Sequence, residues 1–296
     1  MANPEYGRGR HAIAEAAETA EDVTSSRIKE RLLCLFRSPE YKPPLLPAVA
    51  LELIELTRRR NVQVAEVTRC LSRDPMLAAQ LLRLAASPLY SRSEPIRSLN
   101  DAVVRLGLGR TADLFVRAAL EARLLKAPGY DAIMNTLRRH SAFTAEVARL
   151  VSRYAVGFED YAFLCGLLHD VGVAAGVLAL RDMPGAPLRP EPELVWLALS
   201  EIHAACSEAV AKMWALPPEI ALVLGLHHSL GTDRHVHPLA AAVSLADHLA
   251  EEVGFGLFGE GSPSQTADVA SQAGVAEPAL AELRKNVAAL ANTFVA

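Results

Sequence analysis

The chain has 296 residues, of which 51% are hydrophobic and 22% charged, and its formal net charge is −4. This length suggests one large or two modest domains with a substantial core, and the composition excludes a chain that is disordered throughout. The negative charge argues against a general nucleic-acid binder. The four cysteines are widely spaced without a CxxC pair, which predicts buried thiols in a reducing compartment.

The N-terminal sequence MANPEYGRGRH contains no apolar signal core. No continuous apolar run reaches the roughly 18 residues that a membrane-spanning helix needs. We therefore expect a soluble cytoplasmic protein.

Residues 1–42 are predicted to be an N-terminal helical extension that ends in the proline-rich stretch SPEYKPPLLP, our first domain boundary. The apolar positions of its helical pattern are Ile28, Leu32, Leu35 and Phe36. Such a face fits either a cap on the protein's own core or a contact with a partner or second copy, and the sequence leaves both open.

Short helices follow from residue 48 onward. Asp74 followed by proline predicts a helix start, with Asp as N-cap and Pro at the first helical position. Ser98 and Asp101 resemble a capping box, and Gly107 fits a helix stop. These signals predict a first lobe of short helices over residues 43–127.

Longer helices are predicted in the second half of the chain, with an interruption near Ser200 and a Gly-rich loop from residue 255 to 264. The predicted helices are Ile133–Tyr154, Asp160–Val171, Ala174–Asp182, Leu194–Trp214, Pro218–His228, Leu239–Glu252 and Glu277–Val295. No alternating strand pattern with turn signals is present. The predicted fold class is all-α.

These helices carry a constellation of histidines and aspartates in apolar surroundings. Its members are His140, His169, Asp170, His203, His227, His228 and Asp247. Neutral imidazole and carboxylate are ligands that suit iron, manganese and zinc. A single histidine on an apolar helix is more often a structural core residue, so these side chains could instead bond one another in a buried polar network.

Two sets of motifs carry a family resemblance. RRHS, LLHDVG, EIHAACSEAVAKMWALP, the adjacent His227 and His228, and VSLADHLA follow the order and spacing of the HD superfamily of metal-dependent phosphohydrolases. In the first half, DPMLAAQLLRLA and IRSLNDAVVRLG resemble an HDOD domain. Together these resemblances cover roughly residues 43–252.

The resemblance implies a two-lobed helical bundle with an HDOD domain at 43–255, divided into lobes 43–127 and 128–255. Residues 256–296 would form a Gly-rich loop and a C-terminal helix. It also implies one or two divalent ions of iron, manganese or zinc. A first ion would be held by His140, His169, Asp170 and Asp247, and Asp170 would bridge to a second ion held by His203, His227 and His228.

The chain departs from related cyclic di-GMP phosphodiesterases at two points. Val173 stands where those enzymes have a lysine that would steady an anionic phosphate. After His228 the chain reads SLGTDRH, without a Gly-Tyr-Pro signature. The leading hypothesis is therefore a bacterial signal-transduction module that acts by ligand or protein binding and retains a metal site. The alternative is a metal-dependent phosphohydrolase of nucleotides or cyclic dinucleotides, with His169 and Asp170 in catalysis.

A third hypothesis is nucleic-acid binding by residues 54–123, which contain twelve arginines and seven acidic residues. Two short helices there loosely resemble a helix-turn-helix, but such charge runs are usually a solvated surface. We expect a signalling protein as partner, a nucleotide or cyclic dinucleotide as candidate ligand, and neither nucleic acid nor membrane. A homodimer stays open.

Overall fold

The computed structural model describes residues 25–43, 45–57, 59, 61–90, 96–154, 159–181, 190–232, 235–258 and 263–294. The predicted all-α fold is confirmed. Residues 25–37 form helix α1. The helices that follow are α2 (Ala48–Thr57), α3 (Val64–Leu71), α4 (Pro75–Ala85), α5 (Leu99–Leu106), α6 (Leu108–Arg123), α7 (Asp131–Val151), α8 (Glu159–Leu168), α9 (Val171–Arg181), α10 (Pro192–Met213), α11 (Pro218–Leu226), α12 (Pro238–Glu252), α13 (Pro263–Gln272) and α14 (Glu277–Thr293).

The first lobe packs α2 to α5 around α6. Its helix starts follow the sequence signals. The Asp74 carboxylate accepts from the backbone N–H of Leu77 at 3.1 Å, and the Ser98 hydroxyl accepts from the N–H of Asp101 at 3.0 Å. Gly107, with φ of +79°, ends α5 and begins α6 in a conformation that favours glycine.

The second lobe is built on the contacts of α7 with α8 and α12 and of α10 with α9 and α11. The apolar residues of both lobes join in one continuous core. The short segments β1 (Gly231–Thr232) and β2 (His235–Val236) form an antiparallel pair that the sequence pattern did not predict, because two-residue strands carry no periodicity.

Two expectations for the second half were wrong. His169 and Asp170 lie in the turn between α8 and α9 rather than within a helix. Helix α10 runs without interruption, and the Ser200 hydroxyl is accommodated in it by a bond to the Leu197 carbonyl at 2.8 Å. Helix α13 was not predicted, since its sequence PSQTADVASQ has little apolar periodicity.

Helix α1 packs on the bundle. Ile28, Leu32 and Phe36 are buried in the common core, and Lys29 pairs with Glu201 of α10 at 2.6 Å. The described part of the extension therefore caps the protein's own core, while residues 1–24 lie outside the described residues. Cys34 is exposed, so its predicted burial was wrong: it lies on the side of α1 opposite the buried face.

Two stretches in the described chain have the length and composition of a membrane span, Tyr161–Arg181 and Pro192–Met213. The first is completely buried inside the bundle and contains the turn between α8 and α9, and the second is half buried. Core helices of soluble proteins have the same composition, so these stretches are weak evidence for a membrane segment.

Candidate metal centre

Seven polar side chains from five positions of the second lobe converge on one point of its core. They are His140 on α7, His169 and Asp170 in the turn between α8 and α9, His203 on α10, His227 and His228 directly after α11, and Asp247 on α12. All except His228 are buried. The structure thus brings together every residue of the predicted constellation.

Two glycines set how closely the surrounding helices approach. A Cβ on Gly172 would lie 2.3 Å from the carbonyl oxygen of His203 and 2.5 Å from the backbone nitrogen of Ser207. The Gly172 N–H donates to the Ser207 hydroxyl at 2.8 Å, which fixes the turn against α10. A Cβ on Gly166 would lie 2.8 Å from that of Ala148, so α8 is equally tight against α7. Glycine is therefore required on both sides of the His-Asp pair.

Four of the imidazoles share one orientation, because each bonds a backbone carbonyl through Nδ1. Since a carbonyl can only accept, each Nδ1 carries a proton, and a ring in its neutral form presents the Nε2 lone pair to the centre. The pairs are His140 with Phe255 (2.7 Å), His169 with Gly166 (2.9 Å), His203 with Leu199 (3.0 Å) and His227 with Leu224 (2.7 Å).

Asp170 stands in the middle of these rings. Its Oδ2 lies 3.4 Å from Nε2 of His140 and 3.3 Å from Nε2 of His169. Its Oδ1 lies 3.3 Å from Nε2 of His203 and 3.5 Å from Nε2 of His227. The two carboxylate oxygens therefore lie next to two separate groups of histidines.

The first group consists of His140, His169 and Asp247. The Nε2 atoms of the two histidines are 3.0 Å apart, and Asp247 Oδ1 lies 3.4 Å from Nε2 of His140. If both rings are neutral and each donates through Nδ1, the lone pairs of their two Nε2 atoms point at each other. This arrangement is unfavourable unless a cation, either a proton or a metal ion, lies between them.

The second group consists of His203, His227 and His228. Nε2 of His203 lies 2.8 Å from Nε2 of His228, whose exposed side chain forms the outer edge of the centre. Asp170 Oδ1 and His227 Nε2 are both buried without a hydrogen-bond partner. Such orphaned polar atoms cost about 1–3 kcal/mol each when nothing binds them.

The charge balance favours a cation. Burial opposes a charged His169, but Asp170 and Asp247 outweigh this effect and raise the pKa of His169 to about 9. Burial also disfavours the ionised form of Asp170, yet His169 and His203 hold the pKa of its carboxyl well below the usual range. The two carboxylates therefore make the centre electronegative.

The donor set fits a transition metal. Imidazole nitrogens and carboxylate oxygens with no thiolate suit iron, manganese and zinc, and each inward Nε2 is oriented by a backbone carbonyl in the way common for metal-binding histidines. The atoms also fall into the two groups that the family resemblance implies. The cluster could thus hold a metal ion, and the assignment of each side chain as a ligand stays a prediction.

Sequence reasoning missed the parts of the centre that are backbone or come from late in the chain. The Phe255 carbonyl that orients His140 follows α12 and has no side-chain signature. The ring of Phe258 lies 4.8 Å from that of His203, and Ser207 supports the turn. Only Ser207 left a signal, since it follows His203 by one helical turn on the same face.

The HDOD domain family matches residues 44–230. The chain belongs to this family. An uncharacterised protein of Treponema pallidum (strain Nichols) is 25% identical to this HDOD protein over 214 residues, which cover 69% of the chain and 41% of that relative. The chain thus spans less than half the length of this curated relative.

Solved structures share the HDOD fold. An HDOD domain protein of unknown function from Geobacter sulfurreducens superposes with a TM-score of 0.65 at 24% identity, covering 90% of this chain and 99% of its own. A Shewanella amazonensis SB2B protein, named provisionally as a metal-dependent phosphohydrolase, gives 0.69 at 22% identity (91% and 99%). A Marinobacter aquaeolei VT8 protein, named provisionally for signal transduction, gives 0.67 at 22% (93% and 64%). At these identities the likeness is one of fold.

Proposed function

We propose that this HDOD protein is a regulatory module of bacterial signal transduction that acts by binding, and that its His/Asp cluster is a metal centre. The observation that carries the proposal is the pair of buried, unpartnered atoms, Asp170 Oδ1 and His227 Nε2, which face each other at 3.5 Å. Native cores rarely leave such atoms unsatisfied, so a bound ion explains them better than a closed polar network does.

An ion at this centre would connect helices that are far apart in the chain. Its candidate ligands come from α7, the turn before α9, α10, the end of α11 and α12. Binding that requires the folded arrangement stabilises it by mass action. A bound ion would hold the helices of the second lobe in one arrangement. The first lobe and the outer surfaces would stay available to bind a protein partner in the cytoplasm.

Two features favour binding over turnover. Val173 is fully buried, so the position held by a phosphate-steadying lysine in the related enzymes supplies no cation. The cluster is also enclosed, with His228 as its one exposed member among the seven. A phosphodiester would have to reach the centre past this edge, where the Phe258 ring lies against His203.

A metal-dependent phosphohydrolase of nucleotides or cyclic dinucleotides is the second candidate. The observation in its favour is that Asp170 addresses both histidine groups through different oxygens. Divalent ions bound there would supply Lewis-acid activation of water and neutralise phosphate charge. The chain's own part would be to hold Asp170 rigidly through the Gly172–Ser207 bond and to exclude bulk water from the enclosed cluster.

The deciding experiment is metal content per chain by mass spectrometry, on protein purified without a polyhistidine tag or chelator. We expect one or two ions of iron, manganese or zinc per chain, lost in His169→Ala. The matched control is His248→Ala, which removes a histidine of α12 that bonds the Ser244 carbonyl outside the cluster. Protein that stays empty when metal is supplied would contradict the proposal.

The same preparation separates the two candidates. Metal-loaded protein is incubated with cyclic dinucleotides and nucleotide monophosphates. The binding role predicts no turnover. Hydrolysis at several per second that Asp170→Ala abolishes would reject this role and establish the phosphohydrolase.

A further inference from the structure

A second site lies where the two lobes meet. A cavity of about 320 Å³ opens between α2 and α6 of the first lobe and α7 and α8 of the second. This volume is at the lower end of the range for small-molecule sites. Its lining includes none of the seven residues of the metal centre, so the two features are separate.

About half of the lining residues are aliphatic. Ile54 of α2, Leu108, Ala112 and Val116 of α6, and Leu164 of α8 contribute aliphatic side chains. These side chains favour a ligand that carries an aliphatic or aromatic group, because contact with them removes apolar surface from water.

The polar part of the wall consists of Thr57 of α2, Tyr161 of α8 and an ion pair between the lobes. Asp113 of α6 bonds Arg149 of α7, and both side chains keep partial exposure, 18% and 24%. The Arg149 guanidinium also lies 4.9 Å above the ring of Phe163, which fixes its plane. A carboxylate and a guanidinium therefore stand side by side, next to the aliphatic part of the cavity wall.

The nearest other ionic group does not alter this balance. Glu146 is buried one turn before Arg149 on α7, and both its oxygens are taken, by the Tyr90 hydroxyl at 2.6 Å and by Arg110 at 3.0 Å. The charge offered to a ligand is thus one positive and one negative group with no net excess. A phosphate or other simple anion would face Asp113, and a simple amine would face Arg149.

We propose that this interlobe cavity binds a free α-amino acid with an apolar side chain. The ligand carboxylate pairs with Arg149, the ammonium group pairs with Asp113, and the side chain enters the apolar wall. A zwitterion complements an adjacent ion pair without leaving either protein charge unmatched, which neither charge alone could do.

The site would give the regulatory module an input. Its lining comes from α7, which also carries His140, and from α8, which leads directly into His169. The inference depends on the cavity and its charges alone, so it stands or falls independently of whether the centre holds metal.

The test is isothermal titration of the full chain with L-leucine, L-valine, L-methionine and L-phenylalanine. We expect at least one to bind with a Kd below about 1 mM. Removing either ligand charge should weaken binding at least tenfold, so for leucine the comparison compounds are 4-methylpentanoate and 3-methylbutylamine. Absence of saturable binding for all four amino acids, or equal binding of a singly charged analogue, would overturn the proposal.

Variants locate the binding. Asp113→Asn should weaken amino-acid binding at least tenfold, while the carboxylate-only analogue, relieved of the like charge, should bind no more weakly than to wild type. Gly109→Leu narrows the mouth of the cavity, and an added Cβ there meets no atom within 4 Å, so this variant should fold and lose binding. Glu52→Gln, which breaks the exposed pair with Arg73 in the first lobe, is the matched control and should bind normally. Unchanged binding in both cavity variants would place the ligand elsewhere and refute the site.

Discussion

Two buried carboxylates of the second lobe, one on α7 and the other in the turn between α8 and α9, differ in their hydrogen bonds. Glu146 of α7 has each oxygen bonded, one to the Tyr90 hydroxyl at 2.6 Å and the other to Arg110 at 3.0 Å. Asp170 is buried to a similar degree, but its Oδ1 has no hydrogen-bond partner. Both residues are surrounded by polar groups of the right charge.

This difference in hydrogen bonding distinguishes a buried carboxylate that only stabilises the fold from one that belongs to a candidate ion site. Around Glu146, donors with hydrogens meet acceptors, so the group is satisfied by protein alone. Around Asp170, the nearest atoms are Nε2 atoms of rings whose Nδ1 protons are committed to backbone carbonyls, and none of them hydrogen-bonds the Asp170 Oδ1. The two residues are similarly buried, so the unsatisfied oxygen is what marks Asp170 rather than Glu146 as part of a candidate ion site.

The largest expected effect comes from removing Asp170. Metal at about 100 times its Kd stabilises a folded protein by about 2.7 kcal/mol, which for a chain of this size is roughly 5–11 °C in Tm. We expect wild-type protein to lose this increment in chelator, and Asp170→Ala to show neither bound metal nor any response to chelator. Differential scanning calorimetry with matched metal analysis measures both. A chelator-sensitive Tm in Asp170→Ala would mean that the ion binds elsewhere.

Glu146 supplies the opposite case. Glu146→Ala leaves the Tyr90 hydroxyl and Arg110 without their acceptor, so we expect a loss of about 2–3 kcal/mol in the free energy of unfolding. Metal content should stay at the wild-type value. Urea denaturation checks the first result, with Glu66→Gln, which breaks the exposed pair with Arg59, as a control within about 0.5 kcal/mol of wild type. Metal loss in Glu146→Ala would remove the distinction between the two regions.

Local signals in the sequence predicted much of the fold. Asp74 and Ser98 start their helices through the expected side-chain bonds, and Gly107 adopts the positive φ that a stop requires. The apolar face of α1 was visible in Ile28 and Leu32, although the pattern could not say what would cover it. Such features depend on residues close in the chain, which is why one sequence suffices to find them.

The candidate site was predicted as a set of residues but not as a geometry. The order of the His and Asp motifs identified its seven members, whereas the turn that holds His169 and Asp170 was placed inside a helix. The role of Gly172 follows from the approach of α10, which no local pattern encodes. The Phe255 carbonyl could not be predicted either. It is a backbone acceptor 115 residues from His140, and any residue type at position 255 would supply the same group.

The ion pair between the lobes gives a pH-dependent effect of intermediate size. Burial raises the pKa of Asp113 from 3.8 to about 6, even though Arg149 pairs with it. Between these values the folded protein holds a proton that the unfolded chain releases, so this residue's contribution to stability falls as pH rises from about 4 to about 6. Discounted for partial exposure, the fall is about 2 kcal/mol.

Asp113→Asn should lack this dependence. The free energies of unfolding of variant and wild type, measured by urea denaturation across the same interval, isolate the residue because all other titrating groups are shared. We expect the wild-type value to drop relative to the variant as pH rises. A constant difference across the interval would show that Asp113 ionises normally, as an exposed carboxylate does.

The smallest expected effect comes from Ser207, which lies next to the cluster and holds the turn that carries Asp170. Ser207→Ala removes the acceptor of the Gly172 N–H, one of the first amides of α9, which has no intrahelical partner. We expect a loss of about 1 kcal/mol in stability, and a roughly tenfold weaker metal affinity because Gly172 holds the turn that aims Asp170. Ser200→Ala, whose hydroxyl bonds only its own helix, is the control for both quantities. Competition titration against a chromogenic chelator measures the affinity. Equal affinities in the two variants would mean that the turn is held by the packing of Gly172 alone, and the centre would then depend on close backbone approach rather than on this hydrogen bond.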